Sequence, residues 1–168
     1  MRFLPDSFKL WTPDDRSIHI GRDFNAPRDV VFDAFTKPEL VRRWLLGPDG
    51  WTMPVCEIDL KVGGRYRYVW RKEETATEMG MGGVFREVAR PARLVATEKF
   101  DEAWYPGEAL NTTTFDERDG VTSVRLIVRY ESTEARDTAA RSGMDRGIIA
   151  GYNRLEELLV SEVTGGRR

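Results

Sequence analysis

The chain has 168 residues, 40% of them hydrophobic and 32% charged, a mixture typical of one soluble globular domain with a substantial core. Its 26 basic and 28 acidic residues give a net charge of −2, which argues against a nucleic-acid-binding protein. The single cysteine excludes an internal disulfide, and the sequence has no signal peptide or apolar run of membrane-spanning length, so we expect a cytoplasmic protein without a membrane span.

The spacing of apolar residues predicts an arm, a strand, two short helices, six further strands and a long helix. Residues 1–15 form the N-terminal arm, which we expect to lie along the body or a neighbouring subunit because its aromatic side chains would otherwise be exposed. The remaining predicted elements are a strand at Arg16–Phe24, helices at Pro27–Thr36 and Pro38–Leu45, and strands at Thr52–Leu60, Gly64–Arg71, Met79–Val88, Arg93–Phe100, Asn111–Glu117 and Val121–Tyr130. A short helix capped by Ser132 then leads into the long helix Ser142–Val163, and residues 164–168 form a disordered tail.

Three glycines of the long helix, Gly143, Gly147 and Gly151, lie four residues apart and therefore on one side of it. An interior glycine costs about 1 kcal/mol relative to alanine, which indicates that another part of the molecule approaches closely. Two explanations remain open. The helix packs tightly on its neighbours, or its bare side forms part of the wall of a ligand cavity.

An antiparallel sheet of this size has one face that must be covered, and the predicted helices are the elements available to cover it. We therefore expect an α+β fold in which a curved antiparallel sheet of six to seven strands surrounds the long C-terminal helix, with two short helices after the first strand. A helix cannot fill a concave surface, so this arrangement predicts a cavity between sheet and helix.

Several blocks of the sequence, in this order, resemble the START-like (SRPBCC) helix-grip superfamily, whose fold is also called Bet v 1-like. They are FNAPRDVVFDAFTKPELVRRWL, EIDLKVGGRYRYVW, GGVFREVARPARLVATEKF, the Asp-Gly hairpin and YNRLEELL, and the resemblance covers residues 16–163 as a single domain. The branch is similar to the C-terminal domain of the activator of the heat-shock-protein-90 ATPase. The superfamily includes lipid carriers and polyketide cyclases, so the resemblance implies a ligand cavity without naming the ligand. The eukaryotic activator also needs a chaperone-binding domain that the arm is too short to supply.

Aromatic, methionine and small side chains from the elements around the expected cavity are typical of a small-molecule pocket, although an ordinary core uses the same residues. The predicted ligand-binding residues are Trp44, Tyr66, Tyr68, Trp70, Met81, Phe85, Phe100, Trp104, Phe115, Met144, Gly147, Ile148, Gly151 and Tyr152. We expect the two short helices and the loop around Trp104 to control the mouth of the cavity.

Carboxylates inside the cavity would distinguish an enzyme from a binding protein, because a desolvated carboxyl group has a raised pKa and can act as a general acid or base. Glu98 shares a strand face with Leu94, Ala96 and Phe100, which makes it the first candidate for a catalytic residue. Glu87 shares its parity with Phe85 and is the second candidate. The alternative for both is a rim or surface ion pair.

The sequence thus favours binding of a small hydrophobic or aromatic molecule, a lipid included. The alternatives are a cyclase- or hydrolase-like enzyme that uses a pocket carboxylate, and an interaction protein that activates a chaperone ATPase. One histidine and one cysteine, with no phosphate- or dinucleotide-binding loop, lead us to expect no metal and no cofactor. A homodimer formed through a sheet edge or the arm is compatible with the sequence.

Overall fold

Alternating apolar and polar side chains build one antiparallel sheet of eight strands, in a computed structural model that describes residues 3–165. The strands are β1 (Lys9–Trp11), β2 (Ser17–Phe24), β3 (Trp51–Ile58), β4 (Arg65–Lys72), β5 (Thr77–Ala89), β6 (Arg93–Phe100), β7 (Ala109–Arg118) and β8 (Val121–Arg129). Their order across the sheet is β1-β2-β8-β7-β6-β5-β4-β3. The predicted α+β helix-grip fold is confirmed, and the eighth strand comes from the arm.

Four α-helices accompany the sheet: α1 (Arg28–Thr36), α2 (Pro38–Trp44), α3 (Thr133–Ala140) and α4 (Met144–Gly165). Helix α3 begins as predicted, because the Ser132 hydroxyl accepts a hydrogen bond from the amide of Ala135 at 3.1 Å. Helix α4 extends two residues beyond the predicted boundary at 163. Residues 166–168 of the predicted tail and residues 1–2 of the predicted arm lie outside the described residues.

Gly143 does not belong to the predicted row of helical glycines. It has a φ of +81° and lies between α3 and α4, where this left-handed conformation ends one helix before the next begins. A side chain at this position would meet no heavy atom within 4 Å. Of the three glycines in the predicted row, Gly147 and Gly151 lie inside α4, where a close approach could explain them.

The N-terminal arm lies along the body of the same chain. Its strand β1 pairs with β2, with Leu10 opposite Ile20, and places Trp11 against His19 with ring centroids 5.4 Å apart. Before the strand, the amide of Leu4 donates a hydrogen bond to the carboxylate of Glu156 in α4 at 2.7 Å. The arm therefore supplies the edge strand of the sheet next to β2 and contacts the C-terminal helix.

A buried ion pair joins the same region. Arg22 of β2, whose side chain is fully buried, lies 2.8 Å from Glu156 through Nη2 and donates from Nη1 to Asn153 Oδ1 at 2.8 Å. Arg22 also lies over the ring of Phe24, 5.3 Å from its centroid. Breaking such a pair leaves an uncompensated buried charge, so Arg22 and Glu156 fix how α4 sits on the sheet.

Helix α1 packs tightly on the middle of the sheet, and α2 also contacts the edge strand β3. Helix α1 packs on β7 and β8, and both α1 and α2 pack on α4. Phe115 of β7 lies here with no exposed surface, against Phe32 and Phe35 with ring centroids 5.3 and 5.2 Å apart. Towards the other strands the concave face of the sheet is not filled by a helix, and this is where the cavity lies.

Candidate ligand-binding site

A cavity of about 500 Å³ lies between the concave face of the sheet and helices α2 and α4, within the ordinary size range of small-molecule sites. Most of the side chains around it are aliphatic or aromatic. Its lining residues are Phe35, Val41, Trp44, Leu45, Leu46, Gly47, Pro48, Trp51, Tyr66, Tyr68, Trp70, Met79, Met81, Phe85, Leu94, Ala96, Glu98, Phe100, Trp104, Asn111, Thr113, Leu126, Val128, Tyr130, Met144, Gly147, Ile148, Gly151 and Tyr152.

Strand β4 supplies a continuous aromatic wall. Its side chains alternate, so Tyr66, Tyr68 and Trp70 are buried on the concave face while Arg65 and Arg71 are exposed on the other. Neighbouring rings in this row are 5.1 and 5.8 Å apart, the ordinary separation of packed aromatic pairs. The wall is therefore held by ring-to-ring contact before any ligand enters.

The polar atoms of three rings in this site are already bound to the backbone, which fixes the orientation of each ring. The pairs are Trp44 Nε1 with the carbonyl of Ala34 at 2.9 Å, Trp70 Nε1 with the carbonyl of Leu45 at 2.7 Å, and the Tyr66 hydroxyl with the carbonyl of Thr97 at 2.6 Å. These donors are consequently not free to recognise a ligand.

The two helical glycines both allow close packing and form part of the cavity wall, the two explanations that the sequence left open. Gly147 and Gly151 line the cavity and also face the end of α2. A Cβ atom at Gly151 would lie 3.1 Å from the carbonyl oxygen of Trp44. At Gly147 it would lie 3.6 Å from the Cα of Gly47. The bare side of α4 thus admits the α2–β3 loop, and the two together form one wall of the cavity.

The cavity opens to solvent beside Met79 and Trp104, which line it and are 40% and 37% exposed. Trp104 stands in the loop between β6 and β7, with its ring 5.5 Å from Phe100 and 4.8 Å from Tyr105. The backbone of this loop is tied to the body where the amide of Glu108 donates to the carboxylate of Glu131.

A polar cluster lies among these apolar walls. Glu98 of β6 lines the cavity, and its two carboxylate oxygens accept hydrogen bonds from the hydroxyl of Tyr105 at 2.8 Å and from Nδ2 of Asn111 at 3.0 Å. The other polar atom of the Asn111 side chain, Oδ1, is buried and has no hydrogen-bond partner. Burial raises the pKa of Glu98 above its ordinary value of 4.5, against the smaller lowering effect of its two hydrogen bonds.

The phenols around Glu98 stay neutral. Burial, and next the nearby Glu98 carboxylate, raise the pKa of Tyr66, Tyr105 and Tyr130 well above the usual range. Their hydroxyl groups can therefore act as hydrogen-bonding groups but not as bases at neutral pH.

All the predicted ligand-binding residues except Phe115 line the cavity. Phe115 packs instead in the core between β7 and α1, because α1 covers this part of the strand and its Phe32 and Phe35 contact the ring. Glu98 faces inward as its parity predicts. Glu87 does not. A β-bulge between Phe85 and Glu87 shifts the alternation by one residue, so Glu87 lies outside and pairs with Arg93 at 2.9 Å.

Asn111, Thr113 and Tyr130 also line the cavity, and they were not predicted from the sequence. Asn111 lies directly opposite Ala96 in the pairing of β6 with β7, and this register brings it beside Glu98. Alternation within Asn111–Glu117 places Asn111, Thr113 and Phe115 on one face of the strand. Because Asn111 and Thr113 are polar, the pattern did not indicate that this face is turned towards the cavity.

A second concavity, of about 730 Å³, lies on the outer face of the sheet over β4, β5 and β6. Charged residues of both signs border it, and some of them already neutralise each other. Arg67 donates to both carboxylate oxygens of Asp101, at 2.8 and 2.6 Å. Such an open surface of paired charges offers less to a small ligand than the apolar cavity does.

Within residues 3–165, the side chains form no group of three or more His, Cys, Asp and Glu that could hold a metal ion. No helix in this part of the chain is long and apolar enough to cross a membrane.

Comparison with known proteins gives a family match and a set of similar folds. A family model described as Activator of Hsp90 ATPase homolog 1-like protein matches residues 25–160. A crystal structure of a protein from Rhodobacter sphaeroides is 29% identical to this chain, covers 93% of it and 99% of its own length, and superposes with a TM-score of 0.87. No curated protein sequence matches this chain.

More distant structures share the fold alone. A protein from Nitrosomonas europaea is 22% identical, with a TM-score of 0.79 over 91% of this chain and 99% of that one. An HSP90 activator from Plasmodium falciparum is 20% identical, with a TM-score of 0.57 over 90% of this chain and 96% of that one.

Proposed function

We propose that this chain, which belongs to the family of activator of Hsp90 ATPase homolog 1-like proteins within the START-like superfamily, binds a small apolar or aromatic molecule between the sheet and α4. The observation that carries the proposal is the cavity of about 500 Å³ with fixed aromatic walls. An apolar ligand gains about 25 cal/mol for each Å² that it removes from water. Because the rings are already oriented by hydrogen bonds and by each other, little ordering cost opposes binding.

An enzyme with the same cavity is the second candidate, and Glu98 is the observation that favours it. Its carboxyl group faces the cavity, and burial raises its pKa towards the range in which it could exchange a proton with a substrate. Turnover of a cyclic or polyketide-like compound that is lost in Glu98→Gln would support the enzyme.

The family description and the name of the Plasmodium falciparum structure concern activation of a chaperone ATPase. For this chain that activity is a third proposal, which the rate of ATP hydrolysis by a purified chaperone, with and without the protein, would test directly.

The first experiment on the proposal is native mass spectrometry of the purified protein, followed by extraction and identification of co-purified small molecules. The same spectrum reports the ratio of monomer to dimer. Binding of the neutral dye Nile red, read by its fluorescence, then tests the cavity itself. A ligand at about 100 times its dissociation constant stabilises the fold by about 2.7 kcal/mol, or about 5–11 °C in Tm.

A cavity-filling substitution distinguishes the cavity from the surface. Ala96→Leu places a larger side chain inside, opposite Phe85, whereas Ala140→Leu makes the same change on the exposed end of α3. We expect Ala96→Leu to weaken Nile red binding at least tenfold and Ala140→Leu to leave it unchanged. Equal binding by both variants, or no dye binding by the unsubstituted protein, would contradict the proposal.

A further inference from the structure

The charges around the cavity are of one sign. Among the residues that line it in the described part of the chain, Glu98 carries the one charged side chain, and no lysine, arginine or histidine is present. The residues that hold Glu98 in place, Tyr105 and Asn111, are both uncharged. No cation of the protein therefore neutralises this carboxylate in the described structure, in contrast to the buried pair of Arg22 and Glu156.

The polar cluster also has more acceptors than donors. Each Glu98 oxygen accepts one hydrogen bond, although a carboxylate oxygen has room for two. Asn111 Oδ1 is buried without a donor, and its own Nδ2 is occupied by Glu98. The free acceptor positions of the Glu98 carboxylate can take a hydrogen bond from a ligand that brings a donor.

The surrounding walls suit a positive charge. The faces of aromatic rings attract cations, and this attraction strengthens where water is excluded. Tyr66, Tyr68 and Phe85 form a group of touching rings in the same cavity as Glu98, with centroids 5.1 and 5.5 Å apart. A carboxylate among aromatic faces is the combination that recognises an organic ammonium group.

We propose that the ligand is an apolar amine, whose ammonium group pairs with the Glu98 carboxylate while its hydrocarbon or aromatic body fills the rest of the cavity. This inference rests on the proposed function, because it assigns the chemical class of the molecule bound in the same cavity. A fatty acid or other apolar carboxylate is disfavoured, since its charge would lie beside Glu98 with no cation between them.

Three probes with the same phenylbutyl body separate the head groups: phenylbutylamine, phenylbutanol and phenylvalerate. Their dissociation constants are measured at pH 7 by competition with Nile red. We expect the amine to bind at least tenfold more tightly than the alcohol, and the carboxylate to bind more weakly than both. In the unsubstituted protein, the amine affinity should rise with pH as Glu98 ionises, at pH values above its ordinary pKa of 4.5, while the alcohol affinity stays constant.

The matched variants are Glu98→Gln and Glu87→Gln. Glu98→Gln removes the cavity charge and retains an acceptor for Tyr105 or Asn111, so the amine should lose at least tenfold in affinity while the alcohol is unaffected. Glu87→Gln makes the same change outside the cavity, beside Arg93, and should alter neither. Should Glu98→Gln fail to fold, the order of the three probe affinities for the unsubstituted protein still tests whether the cavity prefers an amine.

The outcomes separate the two proposals. If Nile red and phenylbutanol bind but the amine has no advantage, or if Glu98→Gln keeps the amine preference, the amine assignment is wrong and the binding function stands. If neither the dye nor any of the three probes binds, both proposals are wrong.

Discussion

The two helical glycines give a sharp test of how closely α2 approaches α4, because the same substitution should have opposite effects at Gly147 and Gly151. Alanine is favoured over glycine in a helix interior by about 1 kcal/mol. At Gly147 the added methyl would lie 3.6 Å from Gly47 and 3.7 Å from Pro48, which is ordinary contact distance. Gly147→Ala should therefore keep the full gain and raise Tm by about 2–4 °C.

At Gly151 the methyl would lie 3.1 Å from the carbonyl oxygen of Trp44, and that oxygen has little freedom to move. It accepts a hydrogen bond from the amide of Leu46 at 2.9 Å, and the indole of the same tryptophan is held by Ala34 at 2.9 Å. Overpacking of this kind costs about 1–3 kcal/mol. After subtraction of the helical gain, Gly151→Ala should be between neutral and about 2 kcal/mol less stable.

Urea unfolding followed by circular dichroism measures both variants against the unsubstituted protein, with the slope of the transition as a check that the unfolded state is unchanged. The reasoning is refuted if Gly151→Ala is stabilised as much as Gly147→Ala, because the close approach of Trp44 would then carry no cost.

Three further predictions concern buried ionisable groups. The pKa of Glu98 is raised above 4.5 in the folded state, so the unfolded chain ionises first and stability falls as pH rises above that value. Glu98→Gln should therefore raise the free energy of unfolding, measured by urea, by about 1–3 kcal/mol at pH 7 and change it little at about pH 4. An equal increase in the free energy of unfolding at both pH values would contradict this. Arg22→Met should lower the free energy of unfolding by about 3–5 kcal/mol, because it leaves the Glu156 carboxylate buried without its counter-ion. The double variant Arg22→Met/Glu156→Leu should recover most of this loss in thermal or urea unfolding. Equal losses in the single and double variants would show that the two residues are not coupled. Burial raises the pKa of the Cys56 thiol from 9.0 to about 11, so iodoacetamide should react with the native protein about 100-fold more slowly than with the urea-unfolded chain at pH 8.

Local patterns in the sequence were sufficient for most of the fold. The alternation along Gly64–Arg71 predicted which side of β4 is buried, since the aromatic residues Tyr66, Tyr68 and Trp70 share one face and the three arginines share the other. The Asp119-Gly120 turn was equally clear, and both residues adopt the positive φ values of 54° and 78° that this hairpin turn needs. Strand β1 was missed, because three residues carry too little alternation and its pairing with β2 depends on the finished sheet edge.

The site was less predictable than the fold, because the side chains that line it depend on how strands pair and how helices pack on them. Glu87 follows Phe85 by two residues, which in an unbroken strand places both on one face, and nothing in the local sequence announces the bulge. Phe115 is as apolar as the lining residues, and only the position of α1 over β7 makes it core. Asn111 reaches the Glu98 carboxylate because β6 and β7 lie in a particular register, which composition cannot supply.

The order of the strands has a consequence for synthesis on the ribosome. Strand β2 pairs with β8, so Ser17 cannot pair with Arg129 until β8 has been synthesised. The ion pair of Arg22 and the hydrogen bond of the arm likewise cannot form until Glu156 has been synthesised. Until β8 has emerged, strand β2 of the nascent chain lacks a pairing partner, and until α4 has emerged Arg22 lacks its counter-ion. Such long-range pairings slow folding and leave edges open to wrong partners. A nascent chain halted before β8 should consequently remain sensitive to protease along β2, although the hairpins in the middle of the sequence are already able to form.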